Sequence, residues 1–514
     1  MSSGPTSLGL PAATATAPLG RTVWLETHGC AMNVADTEVV KSVLAGAGYA
    51  EARSPAEADV VLVNTCAIRE KAEDKIWCRL GTFRALREER RAKDRHARGP
   101  VVGVLGCMAE RLKDRLLERE KLVDIVAGPD AYRNLPRLLS IVQGEDCAPG
   151  TGAMNVQLSS EETYADITPL RPQGSVSAYL SIMRGCGNFC SFCIVPHVRG
   201  RERSRPLDSI LAEVEALSQA GVREVTLLGQ NVNSYADLSA CQQPPAAASE
   251  PFSVYAKGFR SPYRPRREGA VRFGELLERV AAVDREMRVR FTSPHPKDFS
   301  DDVLAAIADN PNVCKQLHMP AQSGSTSVLA RMRRGYTRDA YDALLRRVYE
   351  HIPQAALSTD MITGFCGESE EEHADTLSLM RVAAFEQAFM FAYSQRDKTI
   401  AARTMPDDVP PAVKARRLSE VIAAFRGAAA AKNAAEVGRT HLVLLEGPPA
   451  RAGMELRAGD YVAAEVVAAG VQSLTARPLA RTTAAEFVAL YGSTLPGALA
   501  GPGERWGVQR AATP

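Results

Sequence analysis

Residues 178–193 read Ala-Tyr-Leu-Ser-Ile-Met-Arg-Gly-Cys-Gly-Asn-Phe-Cys-Ser-Phe-Cys, a strand-like apolar run that breaks at Gly185 into three cysteines spaced C-x-x-x-C-x-x-C. Three thiolates within one glycine-containing loop, Cys186, Cys190 and Cys193, can wrap one face of a cuboidal iron–sulfur cluster, because each spacing lets the chain curl round soft metal. The fourth iron then has no protein ligand, and a small molecule carrying an amine and a carboxylate can chelate it. Zinc is the rival occupant. A closed structural zinc site wants four protein ligands, and only His197 is within reach on sequence distance.

Downstream of this loop the chain alternates apolar runs with amphipathic stretches. The runs start at Ala178, Glu224, Arg288, Lys315, Ala356 and Ala388, and residues 207–220, 273–284, 337–350 and 369–384 lie between them. Six such units predict an open (β/α)6 partial barrel over residues 172–410, short of the eight-unit closed form, with its site at the carboxyl ends of the strands. Residues 236–270 interrupt the pattern with a Gln-, Pro- and Ala-rich stretch and then Lys257, Arg260, Arg264, Arg266 and Arg267, which reads as a solvated surface insertion.

Upstream, runs at Thr22, Asp59, Val101 and Val123 alternate with helical stretches, which argues a parallel α/β sheet over residues 22–145. Three of these runs end in Cys30, Cys66 and Cys107. Loops at the carboxyl ends of parallel strands gather on one edge, so these thiols are expected to converge as a metal site. A buried small residue near a strand end is an equally good account of each. Cys78, beside Trp77, reads as core, and Cys147 in the linker at 144–153 as incidental. A helical connector at 411–435 precedes β-prone runs at His441, Tyr461 and Ser473, which suit a small barrel or sheet over 436–482. Residues 1–21 and 495–514 read as disordered. The first share their small, hydroxylated composition with a transit segment but nearly lack arginine.

Composition bounds the rest. A chain of 514 residues with 45% hydrophobic and 24% charged residues is too long for one core and too apolar to be disordered throughout. Its 62 Lys and Arg nearly balance 60 Asp and Glu, so nucleic-acid contact must come from local patches. One such patch is Arg84–Arg98, with seven Lys or Arg against three acids. No run approaches the roughly 20 apolar residues that a spanning helix needs. Eleven cysteines spread over this length suit metal or redox chemistry better than a disulfide framework.

The cysteine loop resembles that of the radical S-adenosylmethionine (SAM) enzymes. Its surroundings, Cys193-Ile-Val-Pro-His-Val-Arg-Gly200 and Glu202-Arg-Ser-Arg205, resemble the methylthiotransferases of MiaB type. The likeness runs over roughly residues 22–481 and includes Thr27-His-Gly-Cys-Ala-Met-Asn33, Asn64-Thr-Cys-Ala-Ile-Arg-Glu70, Gly106-Cys-Met-Ala-Glu-Arg111, Leu227-Leu-Gly-Gln-Asn-Val-Asn-Ser-Tyr235, Phe291-Thr-Ser-Pro-His-Pro296, Pro320-Ala-Gln-Ser-Gly-Ser325 and Asp360-Met-Ile-Thr-Gly-Phe-Cys-Gly-Glu368. The wording of Met108–Lys113 and Gly128–Arg133 is nearest the eukaryotic, largely mitochondrial members, some of which are described as associated with a cyclin-dependent kinase regulator.

The resemblance implies two 4Fe-4S clusters, one on Cys186, Cys190 and Cys193, which binds SAM and splits it to a 5′-deoxyadenosyl radical, and an auxiliary one on Cys30, Cys66 and Cys107. It implies methylthiolation of carbon 2 of N6-isopentenyladenosine beside the anticodon of tRNA, with an electron from a reductase or ferredoxin-type donor. By analogy with other radical SAM barrels, Gly229 and Gln230 are expected near the methionyl amine and Arg203 or Arg205 near its carboxylate. Ser293, Gln322 and Asp360 are further candidates. In the family a terminal TRAM barrel grips RNA. Here Val443–Gly447 is followed almost at once by Gly459-Asp-Tyr-Val, so that the TRAM-like region is expected to be truncated. A mitochondrial location is expected, with cytoplasm or plastid as alternatives, and no membrane association. Rival readings are modification of threonylcarbamoyl-adenosine or of a ribosomal-protein aspartate, and a cluster-bearing protein that binds a kinase regulator. The Ala-Met pair in His28–Asn33 favours the isopentenyl-adenosine type.

Overall fold

The computed structural model describes residues 22–67, 70–93, 99–118, 122–144, 152–239, 255–261, 269–447 and 455–491. The lead-in, Cys147, Arg264, Arg266, Arg267 and the tail beyond 495 lie outside them. The chain divides into two compact units, one comprising residues 1–175, 179–186 and 194–205, the other 176–178, 187–193 and 206–514.

The first unit is a six-stranded parallel sheet: β1 (Thr22–His28), β2 (Ala50–Glu51), β3 (Val60–Thr65), β4 (Val101–Gly106), β5 (Ile125–Ala127) and β6 (Ala153–Asn155), in the order β2-β1-β3-β4-β5-β6. Both faces are covered, which is why its strands are continuous apolar runs rather than alternating ones. Val60, Leu62, Leu105 and Ile125 pack on one side against α1 (Ala31–Gly46) through Val39, Val40 and Leu44. Val61, Val63, Val102 and Val104 pack on the other against α2 (Glu70–Lys93) and α3 (Cys107–Leu112). Ile76, Leu80 and Phe83 of α2 repeat at helical spacing toward the sheet. Cys78 is therefore out of phase and exposed, not core as the sequence suggested.

Asp36 of α1 fixes how later chain joins this unit. Fully buried, it pairs with Arg184 at 2.8 Å and Arg199 at 2.8 Å and accepts from Tyr132 Oη at 3.2 Å. Arg203 closes onto Asp130. Segments 179–186 and 194–205 thus belong to the first unit although they lie inside the span expected for the barrel.

The second unit carries parallel strands at Glu224–Leu228, Arg288–Thr292, Gln316–His318, Ala356–Thr363 and Gln387–Ala392. An isolated bridge, Val289 to Val313, links the Arg288–Thr292 strand to the chain leading into the next one. Amides of Arg223 and Glu224 donate to the Val176 carbonyl, at the entry of the strand Ser177–Ser181. Residues 255–261 of the insertion are not a free solvated loop. Phe259 is buried against Tyr336 and the Arg260 amide donates to Gly335, while Lys257 and Arg260 keep their side chains exposed. The helix Pro411–Ala434 leads to three antiparallel strands, Thr440–Leu444, Tyr461–Ala469 and Leu474–Thr482. A helix over Ala484–Tyr491 follows. Thr483 and Glu486 cap its start reciprocally, a sequence signal that was missed.

Replacing Asp36 by Ala strands two buried guanidinium groups. The expected cost is about 3–5 kcal/mol of stability, read as a lowered urea midpoint, whereas Lys41→Ala at a more exposed ion pair should cost under about 1 kcal/mol.

Candidate functional site

The order of the first sheet reverses at β1, with β2 on one side and β3 on the other, and ligands in such sheets bind outside the strand ends at the reversal. Cys30 follows β1, Cys66 follows β3 and Cys107 follows β4, so the three thiols stand at the ends of neighbouring strands. Two asparagines tie these ends together. Asn33 Nδ2 donates to Asn64 Oδ1 and to the Thr65 carbonyl, both at 3.1 Å, and Asn64 Nδ2 returns a bond to the Asn33 carbonyl at 3.0 Å. Gly106 sits at φ 86°, and a Cβ there would come 2.6 Å from the Thr65 carbonyl oxygen, so only glycine can turn the chain into Cys107.

The thiols are electrostatically coupled. A hydrogen bond from the Cys66 thiol, outweighing burial and aided by the Arg199 charge, lowers the Cys30 pKa to about 6. Cys30 also caps α1, where the helix N-terminus favours thiolate. Burial pushes the Cys107 thiol up, against the pull of Arg199, whose Nε donates to Cys107 Sγ at 3.1 Å. Three thiols beside a buried guanidinium suit an anionic thiolate-held cluster. Among the described residues no three His, Cys, Asp or Glu side chains are grouped for a single metal ion. Each cysteine of a cubane meets its own iron, so its sulfurs need not converge on one point.

Of the second trio, Cys186 is in the first unit, its amide donating to the Gly200 carbonyl at 3.2 Å. Gly185 holds the turn before it at φ 76°, where an added Cβ would lie 2.0 Å from the Arg201 carbonyl oxygen. Cys190 and Cys193 are in the second unit, joined by a Cys193 amide to Cys190 carbonyl bond of 3.0 Å. The intervening backbone is pinned: the Ser191 amide donates to the Met332 carbonyl at 3.0 Å and its Oγ to the Arg331 carbonyl at 2.8 Å. Cys190 Sγ accepts from Arg334 Nη1 at 3.3 Å.

Five of the expected SAM contacts, Gly229, Gln230, Ser293, Gln322 and Asp360, lie on or shortly after strands of the second unit. Gly229 and Gln230 follow Glu224–Leu228. Ser293 and Gln322 both take left-handed backbone, φ 62° and 71°. Such strain in non-glycine residues costs about 1–3 kcal/mol each and gathers at functional sites. The Gln322 amide donates to the Asp360 carbonyl at 2.9 Å, and its carbonyl accepts from the Ile362 amide at 2.9 Å. The Asp360 carboxylate stands 3.3 Å from His318 Nε2. Arg203 does not fit its expected role, because its guanidinium is spent on Asp130 and on the carbonyls of Glu162, Arg199 and Arg201. Arg205 donates to the Ser181 carbonyl at 3.4 Å. Sequence reading missed Asp36, Arg199, Arg334 and His318, since only burial distinguishes a buried arginine from the many exposed ones.

Two family models match the chain. The family described as uncharacterized protein family UPF0004 matches residues 22–128, and the radical SAM superfamily matches residues 180–380. The mitochondrial tRNA methylthiotransferase CDK5RAP1 of Rattus norvegicus is 50% identical, covering 90% of this chain and 82% of that protein. A CDK5RAP1-like protein of Oryza sativa subsp. japonica is 47% identical over 92% of this chain and 83% of that one. A tRNA-2-methylthio-N(6)-dimethylallyladenosine synthase of Chloroherpeton thalassium is 48% identical over 84% and 86%. The fold and the cysteine loop thus define a radical SAM enzyme. Within that class the chain belongs to the tRNA methylthiotransferase family, whose members use SAM and two 4Fe-4S clusters.

In metal-free protein Cys30 should alkylate as a thiolate above about pH 6, and its rate should fall as pH drops below that value. Cys66→Ala removes the donor and should move that midpoint upward, as mass-spectrometric mapping would show. Gly185→Ala should cost at least about 1–3 kcal/mol from backbone strain alone, with a lower Tm and less iron bound per chain.

Proposed function

We propose that this protein is a tRNA-2-methylthio-N6-dimethylallyladenosine synthase that attaches a methylthio group to carbon 2 of isopentenylated adenosine beside the anticodon. The observation that carries the reading is the set of three thiols at neighbouring strand ends, Cys30, Cys66 and Cys107, in a chain that also bears the C-x-x-x-C-x-x-C loop. Cys186, Cys190 and Cys193 would hold the cluster that takes SAM, and the strand-end trio the auxiliary cluster. When bound, these groups supply a radical that removes the carbon 2 hydrogen, and the sulfur and methyl that replace it.

The chain's own residues bind and orient. Carbon 2 of the adenine ring carries a hydrogen of no useful acidity, so no side-chain base is called for and the work of radical generation belongs to the cofactor. Gly229, Gln230, Ser293, Gln322 and Asp360 would meet the polar groups of SAM, with Arg205 toward its carboxylate. His318 stands beside the Asp360 carboxylate through Nε2 and shares a 2.9 Å hydrogen bond with Ser358 through Nδ1, which orients the ring. A base in an anticodon loop is unstacked more cheaply than a paired one, so it can be taken into a site at the strand ends.

RNA contact would come from the exposed side of α2, where Arg84 and Arg91 face solvent, whereas Arg87 is half-buried on Asp124 and Arg90 reaches the Ala56 carbonyl. The strands over 440–482 would act as a TRAM-like RNA-binding module. The CDK5RAP1 relatives named as mitochondrial favour that compartment, and a ferredoxin-type reductase would supply the electron. Among the described residues no helix is long and apolar enough to cross a membrane.

Anaerobic reconstitution, iron counting and mass spectrometry of isopentenylated tRNA after addition of SAM and reductant test the reading. Cys190→Ala should abolish 5′-deoxyadenosine formation. Cys66→Ala should retain part of it and give no methylthio product. Equal activity of both variants and the wild type would refute this division of labour, and unchanged methylthio content in tRNA from a deletion strain would favour a kinase-regulator-binding role instead.

A further inference from the structure

Cys107 and Cys190 each meet a buried guanidinium, and the two guanidinium groups are compensated differently. Arg199, on Cys107, has the Asp36 carboxylate 2.8 Å away. Arg334 lies in Met332-Arg-Arg-Gly-Tyr336 of the second unit and is 5% exposed. Besides Cys190 Sγ, its Nη2 donates to the Pro320 carbonyl at 2.8 Å and its Nε to Tyr336 Oη at 3.1 Å. Both oxygens are neutral, and among the described residues no carboxylate pairs with this arginine. Its charged surroundings offer no relief. His295 is held neutral by burial and by the charges of Arg334 and Lys297, and Lys297 is itself neutralised by Asp298.

The arginine is also held firmly in place. Its guanidinium lies 5.5 Å from the centroid of the Tyr336 ring, which packs against Phe259 on one side and Tyr341 on the other. Gly335, at φ 74°, brings the insertion close, since a Cβ there would sit 2.2 Å from the Arg260 carbonyl oxygen. A buried cation without a carboxylate is costly unless an anion comes to it. Among the described residues the soft group it touches is the sulfur of Cys190, and with it whatever that sulfur ligates.

We propose that Arg334 is the counter-cation of the cluster held through Cys190, a positioning residue that raises the reduction potential of that cluster, while Arg199 at the strand-end trio already shares the Asp36 carboxylate with Arg184. The proposal rests on Cys190 being a cluster ligand. One electron entering from a reductant makes the cluster more negative by one charge, with no bond formed or broken and no proton moved. A guanidinium hydrogen-bonded to the ligating sulfur stabilises that reduced form more than the oxidised one.

The test uses full-length protein, reconstituted anaerobically and titrated with redox mediators under electron paramagnetic resonance. The relevant signal is the one lost in Cys190→Ala. If no signal is lost there, the assignment of the loop fails before Arg334 is tested. Arg334→Gln should lower the ratio of reduced to oxidised cluster at a fixed potential at least tenfold, about 59 mV for one electron. Arg334→Lys, which keeps the charge, should restore most of it. Arg331→Gln, three residues earlier and paired with Glu372, should leave it unmoved. An unchanged potential in Arg334→Gln at full iron content overturns the proposal, as does an equal shift in Arg331→Gln. Should Arg334→Gln fail to hold iron, Arg334→Lys decides: near-wild-type iron and potential support the proposal, and loss of iron there too overturns it.

Discussion

One carboxylate, that of Asp36, is the constraint on which the first unit depends. Two arginines from distant stretches of sequence are buried against it, and neither could be buried alone, because an unpaired guanidinium inside a protein costs more than its packing returns. Arg184 stands just before Cys186, and Arg199 touches Cys107. The same interaction that folds residues 179–186 and 194–205 onto the sheet therefore also sets the position of one cysteine from each trio. Ion pairs at the surface contribute little to stability, but here removing the carboxylate would leave two charges exposed to a low-dielectric interior.

Much of this was legible in the sequence because strand and helix periods differ. Runs such as Val60–Thr65 and Val101–Gly106, apolar on both faces, predict buried parallel strands, and cysteines placed just after them predict thiols on one edge. The three-cysteine loop is readable for a similar reason, since its spacing is a local property. What escaped was set by tertiary burial. Arg199 lies in a stretch that was quoted for its resemblance, and yet nothing in Pro-His-Val-Arg-Gly says that the arginine points at a sulfur 92 residues earlier. Cys78 was misjudged because composition near Trp77 was weighed without the helix phase that Ile76, Leu80 and Phe83 define. Residues 255–261 were misjudged because a polar, proline-rich insertion hides one aromatic anchor, Phe259.

The strand ends of the second unit show a different relation between sequence and structure. Ser293 and Gln322 were singled out by position and are found in left-handed backbone, which an ordinary residue adopts only when its surroundings enforce it. Gln322 is enforced by two backbone hydrogen bonds to the strand bearing Asp360. Strain of that kind, bracketed by bonds on both sides, fixes where an amide or a carbonyl points. Arg203 illustrates the converse. It satisfies the sequence criterion for a carboxylate partner equally well, and the structure engages all three of its guanidinium nitrogens internally.

Charge placement then becomes the most informative quantity in a chain whose total nearly cancels. With a formal net charge of +2, the protein carries no global field worth invoking, and each functional group responds to its own neighbours. Around the strand-end trio Arg184, Arg199 and Arg203 are each paired with a carboxylate, Asp36 or Asp130, so every guanidinium there already has an anionic partner. Around Cys190 there is no such pairing, since among the described residues Arg334 meets neutral oxygens and a sulfur but no carboxylate. Two cysteine trios in one chain thus differ in the electrostatic surroundings they offer, although their cysteine count is the same. A difference of that kind is what one protein needs if it is to keep two iron–sulfur centres from behaving as equals, because ligand identity, hydrogen bonding to sulfur and nearby charge are the levers a protein has.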